Sequence, residues 1–128
     1  MPKVPRVLRW LVGALVLATG IGEVVHAQTE LRIVSYNIRH GRGMDDSVNL
    51  ARTANVLRAL QPDIVGLQEV DDRVRRSGSV DEAATLGGTL GMEHAFGAFM
   101  EYQGGNYGLA ILSRFPITRA TPVRLPDG

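Results

Sequence analysis

Two apolar runs separated by a helical stripe govern what this chain can fold into. Residues 31–36 (L-R-I-V-S-Y) alternate as a strand does, with Leu31, Ile33 and Ser35 on one face and Arg32, Val34 and Tyr36 on the other. Residues 64–68 (I-V-G-L-Q) are apolar on both faces, the pattern of a strand buried in a parallel sheet. Between them, residues 48–60 set Leu50, Ala54 and Leu57 along one stripe flanked by Ala51 and Leu60. Arg52 and Asn55 take the opposite side, which predicts an amphipathic helix. Asp46 or Ser47 is its expected N-cap, and Gln61-Pro62-Asp63 its stop. Strand, helix and strand within about forty residues make a βαβ unit with parallel strands and a right-handed crossover.

The rest of the chain extends this unit. Residues 71–78 (D-D-R-V-R-R-S-G) read as a solvated loop with its arginines on an exposed face. Ala83, Ala84, Leu86 and Leu90 predict a second helix over residues 80–90, against the drag of Gly87 and Gly88. Strands are expected over 94–100 and 108–112, joined by a hairpin turn at Gly104-Gly105. A further strand is expected over 117–125, held to a sheet edge by Pro122.

At 128 residues, 45% apolar and 21% charged, the chain suits one domain and not a disordered polyelectrolyte. With no cysteine in the sequence, disulfide scaffolds, zinc ribbons, iron–sulfur clusters and thiol nucleophiles are excluded. Residues 1–27 stand apart from the domain. Lys3, Arg6 and Arg9 form a basic start, residues 10–22 an uncharged and mostly apolar run, and Val25-His26-Ala27 a cleavage-like end. That layout predicts a secretory signal peptide, or an amino-terminal anchor if it is not cut. The expected location is therefore periplasmic or secreted. Residues 28–128 then carry eleven basic and twelve acidic side chains. Such a balance offers nucleic acid no strong global field, only a local site.

Asn37 and Glu69 stand at the expected ends of the two parallel strands, side by side on the sheet edge where ligands collect. A carboxylate and an amide oxygen there suit a hard divalent cation, Mg²⁺ or alternatively Mn²⁺. On spacing alone a strand-end glutamate is more often a hydrogen-bonded structural group. Arg39, His40 and Arg42 follow the first strand, and Asn106 and Tyr107 precede the last. Each could face a substrate or simply be solvated. Ser113 reads as a turn residue, because no general base can be assigned beside it.

Three words, V-S-Y-N-I-R-H-G, P-D-I-V-G-L-Q-E-V-D and Y-G-L-A-I-L-S-R-F-P-I, occur in that order. Together they resemble the endonuclease/exonuclease/phosphatase superfamily over residues 31–117. Its members include DNase I-like nucleases, abasic-site endonucleases, neutral sphingomyelinases and inositol polyphosphate 5-phosphatases. The resemblance implies an α/β fold: half of a DNase I-like, four-layer α/β/β/α sandwich, a mixed sheet with outer helices. It implies that Asn37 matches the asparagine beside the metal and scissile phosphate, and Glu69 the glutamate that binds Mg²⁺ directly. Arg39, His40 and Tyr107 become the expected substrate contacts. The implied reaction is divalent-metal-dependent hydrolysis of a phosphodiester or phosphomonoester, on nucleic acid or a phospholipid headgroup.

Family members pair that asparagine and glutamate with downstream words like G-D-F-N and S-D-H, which do not occur here. The expectation is an amino-terminal part of the domain, truncated and without turnover of its own. A rival reading, a non-catalytic secreted fragment or binding module, fits the same composition.

Overall fold

The structure, a computed structural model, describes residues 30–124; the expected signal segment 1–27 lies outside them. The elements run β1 (Ile33–Asn37), α1 (Leu50–Leu60), β2 (Ile64–Asp72), α2 (Glu82–Leu90), β3 (Glu93–Tyr102) and β4 (Gly105–Ser113). Short 3₁₀ turns occupy Arg39–Gly41 and Arg75–Ser77. The sheet order is β1-β2-β4-β3, with β1 parallel to β2 and the other pairings antiparallel. The sheet is mixed, as expected, and β2 lies inside it.

Both helices pack on one face. Val65, Leu67 and Val70 of β2 and Ala110 and Leu112 of β4 form one core with Ala54, Leu57, Ala83 and Leu86 of the helices. Val34 and Tyr36 of β1 and Phe96 of β3 pack against it. Strand alternation therefore turns Ile33, Ser35 and Asn37 to the other face, together with Tyr107, Leu109 and Ile111 of β4. That face has no layer over it among the described residues, and Ile33 is 66% exposed and Leu109 58%. One helical layer on one mixed sheet is half of the expected sandwich.

Four local expectations change. The α1 helix begins at Leu50, with the Asn49 side chain accepting from the Arg52 backbone N–H at 3.2 Å. Asp46 and Ser47 are unavailable as caps. Asp46 has φ 61°, and Ser47 donates its backbone N–H and hydroxyl to Asp45, whose carboxylate also takes Arg52. The hairpin turns at Gln103-Gly104, both at positive φ, so that Tyr102 pairs with Gly105. Residues 117–124 form no strand, and Pro122 removes one of the N–H donors a strand there would need.

The stretch 71–78 is not a solvated loop. β2 continues through Asp72, and Asp71, Val74 and Ser77 are buried.

Candidate active site

The site begins with a fault in the ladder. Leu67 pairs with Ala110 and Val70 with Gly108, so Gln68 and Glu69 share the single position opposite Leu109. This is a β-bulge, and it twists the strand and re-aims a side chain. Glu69 adopts the left-handed region at φ 56°, a conformation that costs a residue bearing a Cβ roughly 1–2 kcal/mol. Parallel pairing sets Asn37 opposite Gln68, and the bulge brings the next residue back towards it. The Asn37 Nδ2 donates to Glu69 Oε1 at 2.8 Å.

The other end of that amide is also held. Arg39 donates its backbone N–H to Asn37 Oδ1 at 2.9 Å, through a turn in which Arg39 and His40 both take positive φ. Sequence spacing suggested two oxygens converging on a cation. Instead the amide turns its nitrogen to the carboxylate, because its oxygen is engaged by the turn. Within the pair Glu69 Oε1 is the acceptor, and the Asn37 amide restrains the orientation of the carboxylate.

His40 and Tyr107 join this edge. His40 is half-buried, and its Nδ1 is enclosed without a hydrogen-bond partner. Burial, then the Arg76 charge, lowers its pKa from the ordinary 6.5, with the Asp71 and Glu69 charges opposing. Tyr107 is paired with Asp71 across the ladder, and burial followed by the Glu69 charge pushes its phenol pKa up. Both side chains are thus neutral hydrogen-bonding groups at pH 7. Arg39 is exposed and reaches the pair through its backbone. Arg42 is engaged with Asp46 at 3.0 Å.

Sequence reasoning missed a buried group of charges next to the bulge. Asp71 is fully buried and accepts from Arg76 Nε and Nη2, both at 2.9 Å, and from the Ser77 hydroxyl at 2.8 Å. Its backbone N–H donates to Glu82 Oε2 at 2.8 Å, and the second Glu82 oxygen is buried without a partner. Burial pushes the Glu82 carboxyl up to about 7. In D-D-R-V-R-R-S-G nothing marks which arginine folds back. Only the bulge, by restarting the alternation, carries Asp71 onto the same face as Asn37.

Among the described residues no three His, Cys, Asp or Glu side chains cluster as a metal cage. A single carboxylate edged by an amide fits a cation that keeps most of its waters, as Mg²⁺ does. It does not fit one that demands a full protein shell.

A family model described as the endonuclease/exonuclease/phosphatase family matches residues 34–128. The chain belongs to this family. Its fold is similar to the crystal structure of an endonuclease/exonuclease/phosphatase from Beutenbergia cavernae DSM 12333, with a TM-score of 0.56 and 27% identity. That likeness covers 70% of this chain and 27% of the other, so the chain spans about a quarter of that structure's length. No curated protein matches it. Within the family match lie both Asn37 and Glu69, and the bulge in β2 that carries Glu69.

Proposed function

We propose that the chain supplies the metal-facing part of an exported phosphoesterase site, with Glu69 as the carboxylate ligand of Mg²⁺ or Mn²⁺. The observation that carries this reading is the 2.8 Å contact between Asn37 and Glu69, made at a strained bulge. Strain of that kind persists where surrounding structure fixes it, and such positions cluster at functional sites. A dication bound there would polarise a phosphoryl oxygen and stabilise the leaving group. Asn37 holds the Glu69 carboxylate in one orientation, with Oε1 occupied and Oε2 without a hydrogen-bond partner among the described residues. His40 and Tyr107, neutral at pH 7, offer hydrogen bonds to phosphoryl oxygens, and Arg39 offers charge at the rim.

Phosphodiester and phosphomonoester substrates, from nucleic acid or a phospholipid headgroup, share the group this edge would meet. Turnover by the chain alone is expected to be negligible, since the sequence lacks the family words that carry the water-activating pair. The test is therefore binding. Titrated with Mn²⁺, the ¹⁵N-labelled chain should lose the amide signals of Asn37, Arg39, Glu69 and Val70 first. Glu69→Gln should abolish that pattern. Broadening centred elsewhere, or unchanged in Glu69→Gln, would overturn the assignment.

A further inference from the structure

Arg76 is held more firmly than an arginine in a solvated run needs to be. Its backbone N–H donates to Gln103 Oε1 at 3.1 Å, and the Arg75 N–H donates to the Gln103 carbonyl, so the 3₁₀ turn is pinned to the β3–β4 hairpin. The guanidinium lies 4.6 Å from the Tyr102 ring centroid and 5.3 Å from that of Tyr107. Asp71, two residues beyond the bulge, takes its Nε and Nη2 as a fork.

A guanidinium carries five N–H donors. The fork uses two of them, and the other three find no hydrogen-bond partner among the described residues. The Arg76 side chain is 29% exposed, whereas the Asp71 side chain paired with it is fully buried. Asp71 and Tyr107 lie on the sheet face that carries Asn37, and His40, beside the same bulge, senses the Arg76 charge.

Asp71 alone does not account for this design. A lysine would neutralise a buried carboxylate, whereas a fork clamped on one side and stacked on two rings leaves a flat, oriented edge. That edge is the shape an anionic oxygen pair recognises, and its ordering entropy is already spent in the unliganded chain.

We propose that Arg76 is a phosphoryl-oxygen contact of this site, binding through its three free N–H groups next to Tyr107, on the sheet face that carries Asn37. This deepens the phosphoesterase reading and rests on it for the identity of the ligand. Asp71, Ser77 and Tyr102 act as positioning residues, setting the plane of the guanidinium. The ligand chemistry is the phosphoryl oxygen itself, common to a nucleotide diester and a phospholipid headgroup.

Dimethyl phosphate, which carries neither base nor lipid, is the probe. Calorimetric titration of the chain at pH 7, with and without Mg²⁺, should show binding that weakens about tenfold or more in Arg76→Gln. Arg76→Lys, which keeps the charge beside Asp71 but not the fork, should weaken it severalfold. In the wild-type chain the Arg76 Nε–H resonance should move with the same dissociation constant, a readout that survives if either variant fails to fold. An unmoved resonance, or folded variants that bind as the wild type does, would overturn the proposal. Displacement of the probe by a dithymidine monophosphate or by glycerophosphocholine would support it and name the source; displacement by neither would count against it. Loss of Mn²⁺ binding at Glu69 with metal-free phosphate binding intact would sink the metal reading and leave the Arg76 contact standing.

Discussion

Two side chains decide how the bulge behaves, and each can be tested alone. Asn37 touches Glu69 through Nδ2 and the Arg39 backbone through Oδ1, so Asn37→Ala frees both the carboxylate and the turn. Groups that orient a metal ligand are typically worth 10–100-fold in affinity. Mn²⁺ affinity in Asn37→Ala is expected to fall about tenfold by calorimetry, with the folded state retained, because the residue is exposed. Asn37→Asp sets like charges together, so its metal-free chain should be less stable at pH 7 than at pH 5 relative to wild type. Glu82 behaves differently because it is fully buried. Its folded pKa of about 7 lies above its ordinary 4.5, so the folded chain keeps a proton that the unfolded chain has released. Stability from this group is present below pH 4.5 and is lost as pH rises towards 7, after which the loss is constant. The change is on the order of 3 kcal/mol. Glu82→Gln, whose amide oxygen can still accept from the Asp71 N–H, should flatten urea-unfolding stability between pH 5 and 8. A slope equal to that of the wild type would show that another group titrates there.

Among the elements, those with strong periodicity were legible in the sequence and those shaped by a single irregularity were not. The Leu50, Ala54 and Leu57 stripe and the alternation of β1 announced α1 and the parallel pair, and Gln103-Gly104 fell one residue from the expected turn. Asn37 and Glu69 could be placed side by side because parallel strands end on a common edge. The direction of the amide could not be read, since it depends on a left-handed turn at Arg39 and His40. The bulge was equally silent, and with it Asp71 and Arg76. What permits the irregular β2–β4–β3 pairing is partly a matter of missing side chains. A Cβ on Gly108 would run into the Gly97 carbonyl of β3, whereas one on Gly66 meets nothing closer than the Gln68 amide at 3.9 Å. Gly108→Ala must therefore push the hairpin strands apart, at a cost of about 1–3 kcal/mol or more. Gly66→Ala, in the same sheet, should be neutral or slightly stabilising. Equal urea midpoints for the two variants would show that β3 does not approach β4 as described.

At the scale of the whole molecule, the half-sandwich leaves one sheet face dressed in apolar side chains. Ile33, Leu109 and Ile111 project from it around Gly66, Ala95 and Gly97, while Ser35 and Gln68, hydrogen-bonded at 3.1 Å, lead towards Asn37. Large apolar side chains thus stand among small ones across this face, which is how a surface made to receive another layer is built. Membership of a family whose fold stacks two sheets accounts for the patterning: a stretch apolar on both faces, such as residues 109–112 of β4, serves two layers, not one. The stability of the described layer, however, rests on the opposite face, where Leu57, Val65, Leu67, Leu86 and Leu112 are buried. The two faces are thus energetically separable. Leu109→Glu combined with Ile111→Lys should lower binding of an apolar fluorescent dye and reduce self-association at high concentration. Its unfolding free energy should move by less than about 0.5 kcal/mol, because both side chains already stand in solvent. Had the helices packed on the Leu109 face, the same double substitution would bury two charges and unfold the chain. A cooperative transition near the wild-type midpoint, with dye binding reduced, therefore fixes which face holds the core and which one carries Asn37 and Glu69 at its edge.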